Sequence, residues 1–125
     1  IYVVEKGHVR LLYATDTATL PAYTTRWLNI DRHVAEAKPL TAIIMEATMG
    51  MGHNEDYRLF THSSVFDVER MVKVLTSTKR YTPPVGQPVY LTHMARTMHG
   101  TQAELDAQLP APLKAAYDGL EVVFR

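Results

Sequence analysis

Asp16, His62 and His93 are the residues whose types and positions could do chemistry together, because each stands where an apolar run gives way to a turn. Their contexts are Leu11-Leu12-Tyr13-Ala14-Thr15-Asp16, Phe60-Thr61-His62-Ser63-Ser64 and Val89-Tyr90-Leu91-Thr92-His93. Imidazole and carboxylate are ligands for zinc, manganese or iron. A carboxylate just past a buried strand can bridge two cations, and a histidine that closes such a strand points its ring into the cleft at the strand ends. A histidine just before a helix can bind metal, contact an anion or donate a proton, beside the unpaired amides of the first turn. Taken singly, each residue has a plainer reading. Asp16 reads as a turn or N-cap aspartate before Pro21, His62 as a partly exposed capping-region histidine, and His93 as a structural histidine bonded to a backbone carbonyl.

Arg96, three positions after His93, could meet an anionic substrate or settle into a surface salt bridge. His53-Asn54-Glu55-Asp56 reads as solvated loop, His99 beside Gly100 is open either way, and His8 and His33 carry no role. The sequence has no phosphate-cradling glycine loop, no serine nucleophile elbow and no cysteine, which removes most cofactor and covalent mechanisms. Metal-assisted hydrolysis is the chemistry left.

Thirteen basic and thirteen acidic residues leave no net charge, and neither sign forms a run, so long-range attraction to nucleic acid or an anionic membrane gains no support. Without cysteine there is no disulfide framework or thiolate site, as suits a cytoplasmic protein. No stretch approaches the ~18 apolar residues of a membrane span. At 125 residues the chain is one domain or part of one. Its opening Ile1-Tyr2-Val3-Val4 is already strand-like, the pattern expected of a piece whose N-terminus lies upstream.

Ile1 to Glu5 and Val9 to Ala14 predict a hairpin about Lys6-Gly7-His8, with Gly7 free to take positive φ. Leu20-Pro21 opens a helical stretch containing Trp27, Leu28, Ile30 and Val34, stopped near Ala37 by Lys38-Pro39. Leu40 to Met45 is the continuous apolar run of a strand covered on both faces, ending at Glu46. Thr48 to Leu59 is too polar and glycine-rich for a core element and reads as a long loop. Ser64-Val65-Phe66-Asp67 starts a helix whose apolar face is Val65, Val68, Met71, Val72 and Leu75. Val89 to Thr92 is a short strand, and Thr101-Gln102-Ala103-Glu104 begins a short helix ending near Leu109. Leu113 to Tyr117 and Leu120 to Phe124 flank Asp118-Gly119 and predict a second hairpin.

These elements predict an α/β fold of α+β layers: a mixed sheet of about six strands with about three helices on one face. With few helices to cover strand 40–45, the other face would expose an apolar patch on the order of several hundred Å². A second copy or a further half-domain is the partner expected there.

In chain order, Leu-Leu-Tyr-Ala-Thr-Asp-Thr at 11–17, Ile-Met-Glu-Ala-Thr at 44–48, the His62 segment, Tyr-Leu-Thr-His at 90–93 and Ala-Tyr-Asp-Gly-Leu-Glu at 116–121 resemble the C-terminal half of the metallo-β-lactamase-fold hydrolases. The branch most similar is that of cyclic phosphodiesterases and tRNA 3′-processing endonucleases. The resemblance implies half of an αββα sandwich and a centre of two divalent metal ions, zinc or else manganese or iron. It implies hydrolysis of a small-molecule or phosphodiester substrate, or an ester, by a metal-activated water. Asp16 would be the bridging ligand, His93 a ligand to one metal, and His62 the catalytic residue acting on the scissile phosphate or leaving group, with Asp118 a turn residue. The family's His-x-His-x-Asp-His motif is absent from this sequence, which implies that the chain alone is inactive and takes the missing ligands from a further half. Arg96 falls where the family often has a second histidine, which makes it a candidate substrate contact. The alternative is a non-catalytic binding or assembly module that keeps the half-fold.

Overall fold

A computed structural model describes residues 1–20, 24–25, 28, 38–53 and 61–125. Most of the helix expected between Leu20 and Ala37, with Trp27, Ile30, His33 and Val34, lies outside the described residues, as does the 54–60 part of the long loop with Asn54, Glu55 and Asp56.

Strands β1 (Tyr2–Lys6) and β2 (Val9–Ala14) form the expected hairpin. Lys6 pairs with Val9 across a two-residue turn, and Gly7 takes φ 59, a conformation that costs glycine no Cβ clash. Strand β3 (Ala42–Glu46) lies parallel to β2, with Leu12 opposite Ile43 and Ala14 opposite Met45. Strand β4 (Val89–Thr92) lies parallel to β3, and β5 (Leu113–Ala115) parallel to β4. The result is a mixed five-stranded sheet in the order β1-β2-β3-β4-β5, an α/β arrangement with one antiparallel edge. Helix α1 (Val65–Ser77) falls between β3 and β4, and α2 (Gln102–Gln108) between β4 and β5.

The alternation of side chains along strands divides the sheet into two unlike faces. Leu12, Ala14, Ile43, Met45, Val89, Leu91 and Leu113 share one face, and α1 covers it with Val65, Val68, Val72 and Leu75 to form the core. The α1 face follows the spacing expected from sequence, and Ser64 caps it. The Ser64 hydroxyl accepts from the Asp67 amide at 3.2 Å, while Asp67 accepts from the Ser64 amide at 3.0 Å. The helix ends in a Schellman turn: the Lys79 amide donates to the Thr76 carbonyl and the Arg80 amide to the Leu75 carbonyl, with Lys79 at φ 58. Below this turn lies Tyr81, 2% exposed, its hydroxyl without a hydrogen-bond partner and its pKa pushed up to about 12 by burial.

On the opposite face of β1 to β4 lie Tyr2, Val4, Leu11, Tyr13, Ala42, Ile44 and Tyr90. No described element is layered over β1 and β2 there, and Tyr2, Val4 and Tyr13 are 69%, 53% and 38% exposed.

One expected element is corrected. The strand at 113 pairs with β4 and not with a returning strand, and residues 120–125 form no strand. Asp118-Gly119 does turn the chain, with Gly119 at φ 86 and the Leu120 amide donating to the Tyr117 carbonyl at 3.0 Å. After the turn the tail leaves β5 and lays Phe124 edge-on against Tyr90, ring centroids 6.3 Å apart. Aromatic packing on the less covered face outweighs a locally favoured hairpin, so the sheet has five strands where about six were expected. Among the described residues no helix is long and apolar enough to cross a membrane.

Candidate metal centre

Parallel β2, β3 and β4 end side by side, and the loops leaving their carboxyl ends carry the chemistry-bearing residues, as open parallel sheets generally arrange their sites. Asp16 follows β2 by two residues and His93 follows β4 directly. Both take left-handed backbone conformations, φ 50 and φ 52, and only Lys79 is a further non-glycine residue of this kind among the described residues. Aspartate and histidine tolerate this region better than most residues, and such conformations concentrate where the surrounding structure fixes a functional side chain. His62 stands two residues before the capped first turn of α1.

The three meet. One potential ligand atom from each of Asp16, His62 and His93 lies within 4.8 Å of the others. His62 Nδ1 is 3.6 Å from Asp16 Oδ1, and the two imidazole rings are 5.7 Å apart at 30°. Zinc bonds of ~2.0–2.2 Å at tetrahedral angles set donor atoms roughly 3.4 Å apart, so small side-chain rotations bring this set to ligating distance. Two imidazoles and a carboxylate suit zinc, manganese or iron. The Asp16 side chain is 71% exposed and the His62 side chain 25%, so the set opens to solvent.

Beneath the three lies Glu46, a residue that sequence reasoning passed over as the end of a strand. Its side chain is fully buried, and both carboxylate oxygens are satisfied. Oε1 accepts from the Ser63 amide at 2.8 Å and the Thr17 amide at 3.1 Å; Oε2 accepts from the Thr48 amide at 3.0 Å and the Thr48 hydroxyl at 2.5 Å. One carboxylate thereby fastens the residue after Asp16, the residue after His62 and the loop leaving β3. A glutamate closing an otherwise apolar run was the available signal, because a buried charge needs partners. Those partners are amides far apart in sequence and invisible to local pattern.

Thr48 transmits the arrangement to the rings. Its single proton goes to Glu46 in the shortest of its contacts, leaving oxygen lone pairs toward His93 Nδ1 at 3.0 Å and His62 Nδ1 at 3.3 Å. An imidazole that gives its Nδ1 proton to such an acceptor is held in one tautomer, with Nε2 free as a ligand or base. Glu46 Oε1 also lies 3.7 Å from His62 Nδ1.

The remaining candidates separate. Arg96 is exposed, and among the described residues it makes no ion pair and joins neither the cluster nor the cavity beside it. His99 Nε2 donates to the Ala47 carbonyl at 2.7 Å, pinning the 94–100 loop to the end of β3. Gly50 packs against that loop so closely that a Cβ would meet the Met98 carbonyl oxygen. His53 is half-buried in its loop, and its amide bonds the Gly50 carbonyl at 3.3 Å. A cavity of about 510 Å³ adjoins the cluster, lined by Thr48, Thr92, His93, Met94, Ala95, Ala116, Tyr117 and Asp118. Comparison with protein-family models, curated proteins and solved structures finds no match to this chain.

Proposed function

We propose that the chain carries a metal-binding wall of a hydrolase acting on a phosphodiester or ester. The observation that carries this reading is the convergence of Asp16, His62 and His93 over one buried carboxylate. The order of the sequence motifs supports it independently.

Asp16 and His93 are the metal-holding residues in this reading. A divalent cation held there would lower the pKa of a water and polarise the oxygen of the bond to be cleaved. His62 moves the proton. Its Nδ1 faces Glu46, Asp16 and Thr48, which orients the ring and leaves Nε2 to meet a leaving oxygen. Asp16 and His93 are two donors, and a catalytic ion takes about three from protein, so a complete centre needs donors beyond these two.

Zinc titration by calorimetry is expected to give about one ion per chain, with Asp16→Asn or His93→Ala weakening it and His62→Gln retaining it. In the gene product that carries this chain, His62→Gln is expected to slow hydrolysis of bis(p-nitrophenyl) phosphate by roughly 100-fold or more. A wild-type protein that takes up no divalent ion, or a His62→Gln variant with undiminished turnover, sinks the reading.

A second reading, an assembly module that keeps this half-fold, is favoured by the apolar second face, where Tyr2, Val4 and Tyr13 lie open. The two are compatible, since a layer seated on that face could bring further ligands to the strand ends.

A further inference from the structure

The cavity beside the cluster has a chemical character that the cluster does not. It lies at the carboxyl ends of β4 and β5, with Thr48 and His93 as the wall it shares with the metal centre. About 510 Å³ is room for a small-molecule group. Its far wall is Tyr117 and Asp118. They are placed by the Ala116 amide donating to the Leu91 carbonyl at 2.8 Å and by the turn that closes from Leu120 to Tyr117.

Among the described residues no lysine or arginine lines this cavity, and the Asp118 carboxylate makes no hydrogen bond or ion pair with them. Arg96, the cation nearest in sequence to His93, is not part of the lining. A phosphate seated here would meet a carboxylate without a compensating cation. An ammonium group would meet Asp118 together with Tyr117, an aromatic residue whose ring face attracts cations, and Thr92. A carboxylate and an aromatic ring about one cavity are the partners by which ammonium groups are recognised, the one by charge and the other by its π-face.

We propose that this cavity is a subsite for a cationic amine on the substrate, so that the ester or phosphodiester cleaved at the metal centre bears an ammonium group on one side of the scissile bond. This rests on the hydrolase reading for the bond cleaved, but the recognition of the amine does not. Asp118 supplies charge selectivity and Tyr117 the cation–π face, while His93 marks the boundary between binding and chemistry.

The test uses the 125-residue chain with choline as probe and 3,3-dimethylbutanol as its neutral isostere, each titrated by NMR with and without zinc. Choline is expected to shift the amides of residues 92–95 and 116–118, and to bind at least about fivefold more tightly than the isostere, in line with cation–π and carboxylate attraction. Asp118→Asn should remove that preference while leaving binding of the isostere unchanged. Equal affinity for choline and the isostere, a preference untouched by Asp118→Asn, or inorganic phosphate shifting the same amides more strongly than choline would each overturn the subsite. Zinc calorimetry on the same samples separates the two claims: choline selectivity without zinc binding defeats the hydrolase reading alone, and zinc binding without choline selectivity defeats the subsite alone.

Discussion

Glu46 is the residue whose loss should be felt furthest from where it sits. Its four accepted hydrogen bonds come from amides at 17, 48 and 63 and from the Thr48 hydroxyl. Glu46→Gln preserves shape but turns one acceptor into a donor, aimed either at the Ser63 and Thr17 amides or at Thr48. We expect a stability loss of about 1–3 kcal/mol in urea denaturation, the cost of buried donors left unpaired. Zinc affinity should fall by roughly 10- to 100-fold, as when an outer hydrogen-bonding partner of a ligand is removed. Unchanged zinc affinity in a folded variant would show that Glu46 holds loops without tuning ligands. Asp16, His62 and His93 could be named from sequence because each closes a patterned run; Glu46 could not, because its partners are main-chain groups brought in by the fold. Arg96 shows the converse, a plausible residue type at a plausible spacing that the loop carries out to solvent.

Helix α1 was legible in detail because everything that defines it is local: the Ser64–Asp67 box at one end and the face of Val65, Val68, Val72 and Leu75 between. Its far end was less legible, since Lys79 performs the left-handed turn that a sequence reader assigns to glycine. Lys79→Gly should therefore stabilise the chain by about 0.5–1 kcal/mol, read as a raised urea midpoint at unchanged slope. No gain would mean that the lysine side chain compensates for its own backbone. The β1–β2 hairpin was equally plain, with Gly7 in a two-residue turn. The tail failed as a second hairpin for a reason of a different order. The Asp118-Gly119 signal correctly gave a turn, but the partner of the following residues was decided by Tyr90 on the neighbouring face. Turns are written locally, and strand partners are not.

At the scale of the whole molecule, the two faces of the sheet have different standing. One is closed by α1, while the other leaves Tyr2, Val4 and Tyr13 open beside Ile44 and Tyr90. Parallel strands are seldom left bare on a face, because their crossovers supply the cover. We expect the chain to self-associate through this face. Sedimentation should show mass rising with concentration, and Tyr13→Glu with Val4→Lys should return it to a monomer with an unchanged far-UV spectrum. A wild-type chain that stays monomeric at all concentrations would remove the assembly reading. The apolar run of β3 led to the expectation of an open patch over that strand, but Ala42 is buried and Ile44 half-buried, and the open residues lie on β1 and β2 instead. In a living cell the open face would have a further effect. Chaperones and proteases survey proteins by exposed apolar surface and not by the soundness of a core. Such a face presents a finished domain as an unfinished one, so the lifetime of the chain would follow the supply of whatever covers it more closely than its own unfolding free energy.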